Sequence, residues 1–151
     1  MGRAFRSLVD LGVKADQPHS EQRRIRTVNV VAVVAFSATA FFSTLFVVVA
    51  GSNADSVRLY AVTNPVFLAG YGLTLVLNWK GRYLGAVVLV QTTGIANLVV
   101  ASLTGGFATG PAVFLVAVAT AAVLVTPNSY PIVRWGYVLA SVLAFAMLAI
   151  I

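Results

Sequence analysis

Residues 28–50 read VNVVAVVAFSATAFFSTLFVVVA. The run holds no Asp, Glu, Lys, Arg or His, and its apolar positions are continuous rather than alternating. A helix needs about 20 apolar residues to cross the roughly 30 Å hydrocarbon core of a bilayer, and this run supplies them. A barrel strand would need only about 10 residues and would alternate apolar with polar. The run therefore reads as a membrane-spanning helix.

Reading outward, four further runs repeat the pattern, at 59–79, 83–103, 111–125 and 132–151. Punctuation separates them: Gly51-Ser52-Asn53, then Lys80-Gly81-Arg82, then TGGFATG at 104–110, then TPNSYP at 126–131. Only 9% of residues are charged and 60% are hydrophobic, whereas a water-soluble domain carries about a quarter charged residues. The expected fold is all-α: a polytopic transmembrane helix bundle of about five spans, forming one domain over 28–151 behind a basic segment at 1–27. Within the second span, Pro65 follows Asn64; a proline removes a backbone donor and crowds the preceding turn, so a kink or a late helix start is expected there. Pro111 suits the first turn of the fourth span. In the basic segment, Ser20 is a candidate N-cap for a short helix that runs on into the first span. Ala4, Phe5, Leu8, Val9 and Leu11 form a weakly amphipathic stretch, either lying on an anionic leaflet or solvated as a tail.

Charge sets the orientation. Arg3, Arg6, Lys14, Arg23, Arg24 and Arg26 precede the first span, Lys80 and Arg82 follow the second, and Arg134 follows the fourth. With the N-terminus in the cytoplasm, nine of the ten Lys and Arg fall inside and only Arg58 falls outside, as the positive-inside rule requires. Arg23, Arg24, Arg26, Lys80, Arg82 and Arg134 are the topology anchors nearest the spans. Trp79, Tyr83, Tyr130, Trp135 and Tyr137 sit near span ends, where an interfacial aromatic belt belongs. The expected location is the inner (plasma) membrane, multi-pass, and the excess of +6 points to the lipid surface rather than to nucleic acid.

The residues do not assemble a catalytic or metal-binding constellation. The one histidine, His19, lies in the polar segment, cysteine is absent, and the glycine-rich loop at 104–110 lacks the Lys-Ser/Thr of a phosphate loop. No catalytic residue, metal ligand or cofactor is assigned. The spans also lack the intramembrane charges on which proton-coupled carriers rely. Asn64, Gln91 and Asn97 are the candidate ligand-binding residues, weighed against simple hydrogen bonding between helices. Gln91 and Asn97 lie six residues apart and so face different directions on one helix, with Thr92 beside them. Pro65 and the outer loop at Gly105, Gly106, Phe107 and Gly110 are candidate moving parts. Gly70, Gly72, Gly81, Gly85 and Gly94 read as sites of close helix approach.

Three stretches carry a resemblance: Leu11-Gly12-Val13 followed by 20–26 (SEQRRIR); Leu77-Asn78-Trp79; and 104–111 (TGGFATGP) opening a span that closes Leu124-Val125-Thr126-Pro127. Together they resemble the N-terminal six-helix membrane domain of bacterial class III adenylate cyclases, related forms of which precede some histidine kinases and diguanylate cyclases. The resemblance covers nearly the whole chain. It implies a dimeric receptor or regulator that passes a signal through its last helix to a cytoplasmic output domain. The chain departs from that pattern in lacking a sixth span and an output domain, and no cyclase catalytic residue can be carried over. Three readings follow. The first is a sensory or regulatory membrane domain, acting on an output domain beyond this chain in response to an unknown ligand. The second is a small accessory or scaffold subunit with a membrane-protein partner. The third is a transporter of a neutral solute.

Overall fold

A backbone in hydrocarbon must satisfy its own N–H and C=O groups, so long apolar runs fold as helices. The computed structural model describes residues 3–49, 54–105 and 114–150. Among them are six helices: α1 (Arg3–Val9), α2 (His19–Val49), α3 (Ala54–Trp79), α4 (Tyr83–Gly105), α5 (Phe114–Val125) and α6 (Pro131–Ile150). Four of these, α2, α3, α4 and α6, are long and apolar enough to cross a membrane. The described part of the fourth expected span, α5, has 12 residues and rises about 18 Å.

The helix ends depart from expectation in four places. α2 starts at His19, and the Pro18 carbonyl accepts its first bonds, from Glu21 N at 2.9 Å and Gln22 N at 3.0 Å. Ser20 therefore lies inside the first turn and does not cap it. α3 begins at Ala54 and runs through Pro65, so the late helix start is not found. Thr104 and Gly105 are still helical, closing α4 rather than opening the loop. Pro131 opens α6 instead of ending the preceding turn. The turn between α3 and α4 follows from Gly81, whose φ of 72° is open to glycine at little cost. Gly81 N bonds to Asn78 O at 2.9 Å and Arg82 N to Leu77 O at 2.8 Å, the paired closure of a Schellman motif.

The bundle has an apolar core like a soluble protein, but it also exposes large apolar side chains and buries polar ones between its helices. Phe41 is 64% exposed and Ile132 87%, whereas Asn29 and Thr74 are fully buried. Lipid tails solvate the apolar side chains, and polar side chains turn inward to find partners. On α3 the buried positions are Asn64, Phe67, Tyr71, Thr74 and Asn78, an alternating spacing of three and four that keeps one stripe facing its neighbours. Ile25, Val28, Asn29 and Ala32 form the corresponding stripe on α2. These stripes meet α4 in a core of Val28, Ala32, Phe67, Tyr71, Ala86, Val87 and Val90, with Val125 of α5 at its edge. A second cluster joins Leu115 of α5 and Leu148 of α6 to Ile95, Leu98 and Val99 of α4.

Of the five glycines expected to admit a neighbouring helix, Gly70 does so: a Cβ there would lie 2.6 Å from Thr93 Oγ1 and 2.9 Å from Thr93 Cγ2. Gly81 serves its turn and Gly72 faces open space, while Gly85 and Gly94 would make ordinary contacts.

Candidate functional site

The polar side chains of α2 and α3 meet at two levels. At the basic end, α1 and the turn after it fold back onto the bundle, so the segment is docked on α2 rather than a free solvated tail, with Leu8 of its amphipathic stretch left exposed. Asn29 of α2 makes the joint: its Nδ2 donates to Val9 O at 2.9 Å and Leu11 O at 2.8 Å. Its Oδ1 accepts from Asn78 Nδ2 of α3 at 2.7 Å. One buried amide thus ties three chain segments together. Gly12 completes the contact. It has φ 79°, and a Cβ on it would lie 2.1 Å from Asn78 O. Arg26 Nε pairs with Asp10 at 2.8 Å, a half-exposed ion pair that contributes at most about 1 kcal/mol. Gln22 Nε2 donates to Lys14 O at 3.1 Å and Gln17 O at 2.9 Å. Gln22, Arg26 and Asn29 follow one another at i, i+4 and i+7, so a single face of α2 holds the whole segment.

Gly12→Ala is expected to loosen this joint. The left-handed backbone costs alanine about 1–2 kcal/mol, and the methyl group collides with a main-chain carbonyl that cannot rotate away. Amide exchange over residues 3–18 should rise while helicity stays unchanged; unaltered exchange would show that the contact is dispensable.

Deeper in the bundle, α2, α3 and α4 share a second network. Asn64 Nδ2 donates to Ser43 Oγ, which donates to Thr39 O one turn back. Thr39 Oγ1 accepts from Asn97 Nδ2 at 2.8 Å, and the same nitrogen donates to Tyr71 OH at 3.3 Å. The structure therefore joins Asn64 and Asn97 through α2, although they lie on different helices. Gln91 faces away from them. With its amide oriented to satisfy both ends, its nitrogen donates to Val118 O at 3.3 Å and its oxygen accepts from Ala122 N at 3.1 Å, both on α5. Thr92 turns toward α6 instead of the bundle interior. The Tyr137 hydroxyl spends its proton on Val88 O at 3.0 Å, so Thr92 is the donor in their 2.7 Å contact.

No protein-family model matches this chain, no curated protein matches it, and no solved structure matches it. All three candidate ligand residues use their side-chain nitrogens on neighbouring helices, although Asn64 Oδ1 is buried without a partner among the described residues. Of the candidate moving parts, Pro65 lies within α3 and Gly105 closes α4; Gly106, Phe107 and Gly110 lie outside the described residues.

The six anchors divide by what they hold. Arg26 takes Asp10, and Arg134 clamps the turn between α5 and α6 through Thr126 O at 2.8 Å and Asn128. The side chains of Arg23, Arg24, Lys80 and Arg82 make no hydrogen bond or ion pair among the described residues. Arg24 and Arg82 line one cleft with Pro127 and Tyr130, so the start of α2, the α3–α4 turn and the α5–α6 turn gather at one end of the bundle.

Sequence reasoning did not single out Asn29, Thr39 or Ser43, and Asn78 entered it only through the Leu77-Asn78-Trp79 stretch of the resemblance. The signals that could have singled them out were the spacing of Gln22, Arg26 and Asn29 and the three-four stripe from Asn64 to Asn78.

Proposed function

We propose that this chain is a membrane-integral regulatory module, set in the inner membrane with its basic end in the cytoplasm. A change in the packing of α2 against α3 would alter the docking of the N-terminal segment and, through the bundle, an output domain beyond this chain. The observation that carries the reading is that one helix pair bears both polar links. Ser43 meets Asn64 deep in the bundle, and Asn29 meets Asn78 at the basic end. The two α2 positions lie 14 residues apart, about 21 Å along the axis. Rotation or sliding of α2 against α3 breaks both links together, which gives a ligand or partner that favours one packing a route to the other end. The resemblance to cyclase membrane domains supports the same reading, because two of the stretches that carry it, around Gly12 and Asn78, touch. Dimerisation and an outer or intramembrane ligand belong to the proposal.

Ser43→Ala tests it, because Ser43 touches nothing in the N-terminal segment. Ala15→Cys provides the only thiol in a chain without cysteine, and its labelling rate in nanodiscs reports docking. Coupling predicts labelling severalfold faster in the Ser43→Ala background, since a lost interhelical hydrogen bond is worth about 0.6–1.7 kcal/mol. An unchanged rate in a folded variant would remove the regulatory reading and leave the accessory-subunit one, which needs packing but no communication. The transporter reading gains no support from polar side chains that are already engaged with one another.

A further inference from the structure

We infer that the basic end of the bundle binds one anionic glycerophospholipid, with its phosphate on Arg24 and Arg82 and an acyl chain along the groove between α4 and α6. The cleft at this end has a volume of about 610 Å³. Glu21 also lines it, so the site offers two guanidinium groups against one carboxylate. Neither arginine is committed elsewhere among the described residues. A guanidinium presents paired N–H donors that match phosphate oxygens, and basic pockets between spanning helices at this level take lipid headgroups.

The depth of the cleft favours a lipid over a soluble phosphate. Tyr83 and Tyr130 line it, and Trp79 and Trp135 are exposed nearby in sequence at the same end, where the headgroup region holds aromatic side chains. A second, mainly apolar groove of about 250 Å³ is lined by Val88, Ile132, Val133, Gly136 and Ala140, with Tyr137, whose hydroxyl donates to Val88 O at 3.0 Å. Val88 follows the cleft residue Gly85 by one turn of α4, and Ile132 follows Tyr130 where α6 begins. Both helices descend from these points, so the apolar groove lies about one turn deeper than the part of the charged cleft formed by the start of α4 and the α5–α6 turn. That order, phosphate-binding above and apolar below, is the order of a phospholipid. Gly136 keeps the groove wide, because a Cβ there would meet nothing within 4 Å. The site stands whether or not the bundle carries a signal.

Native mass spectrometry of the full chain tests the site, with phosphatidylglycerol and phosphatidylcholine of identical acyl chains supplied together. The wild-type chain is expected to retain phosphatidylglycerol roughly tenfold over phosphatidylcholine, given the attraction of two basic side chains for an anionic headgroup. R24Q/R82Q should bring the ratio near one. R23Q/K80Q removes the same charge outside the cleft and should keep the preference; an equal loss there would reduce the site to diffuse surface charge and overturn it. Gly136→Leu fills the groove and should lower retention of phosphatidylglycerol while leaving binding of glycerol 3-phosphate unchanged. Undiminished lipid retention in Gly136→Leu would assign the cleft to a soluble phosphate and sink the lipid proposal. Should R24Q/R82Q fail to fold, the exposed single change Arg82→Gln and Gly136→Leu carry the same decision.

Discussion

Asn29→Leu is expected to release residues 3–18 from the bundle while α2 to α6 stay assembled. The substitution removes an amide that serves Val9 O, Leu11 O and Asn78 Nδ2 and replaces it with a side chain of similar size that a spanning helix accepts well. The buried Asn78 amide and two part-buried carbonyls then have no partner. Each such group costs about 1–3 kcal/mol if it stays buried, so the cheaper outcome is for the segment to leave and let water take over its carbonyls. The loss is therefore capped by the docking free energy itself. A loss of about 3 kcal/mol would lower exchange protection over residues 3–18 by roughly a hundredfold. Hydrogen exchange in nanodiscs reads it directly, with circular dichroism confirming that the spans persist. Protection equal to wild type would mean that Asn29 is not the joint. Asn29→Asp is an informative companion, because it keeps an acceptor for Asn78 but loses the donor to Val9 and Leu11.

The second large effect is expected at Gly70. Gly70→Val places branched carbon where a Cβ alone would lie 2.6 Å from Thr93 Oγ1 and 2.9 Å from its Cγ2. Thr93 is buried and β-branched, so turning one γ atom aside brings another round. The helices α3 and α4 must part, and Phe67, Tyr71, Val87 and Val90 lose contact in the core they share. Overpacking of this kind costs about 1–3 kcal/mol, which for a chain of this size lowers Tm by roughly 3–10 °C. A thermal melt in a fixed detergent gives the shift. The double variant Gly70→Ala with Thr93→Ala should recover most of the loss of Gly70→Ala alone, since the pair is in direct contact and its effects do not add. Additive losses in that cycle would place the strain elsewhere.

Much of the architecture was legible beforehand, and the reason is local. Whether 28–50 or 83–103 becomes a helix depends on its own length and lack of charge, because the bilayer forces any such run to satisfy its backbone internally. The breaks were readable for the same reason: Gly81, between Lys80 and Arg82, has few alternatives to a tight turn. Helix ends were less so. Pro18 and Ser20 compete for one cap, and Thr104 and Gly105 continue a helix that their composition would equally let stop.

The candidate site was legible in its residue types and not in its pairings. Asn64, Gln91 and Asn97 are polar groups in an apolar run and must find partners, but nothing local says which. In water, an amphipathic stripe would have shown the inward face. Here lipid accepts apolar side chains on every side, so hydrophobicity barely separates the faces of α2, α3 or α4, and association depends on shape and on interhelical hydrogen bonds. Those are properties of the assembled bundle. Packing put Asn64 with Asn97 through Thr39 and Ser43, sent Gln91 to α5, and turned Gly12 onto Asn78. It also separated Arg26 and Arg134, which are tied down, from Arg24 and Arg82, which are not. Run length and lack of charge are carried by each segment alone and so determine the helices, whereas a buried amide takes its partner from whichever helix arrives within hydrogen-bonding reach, and only folding decides that.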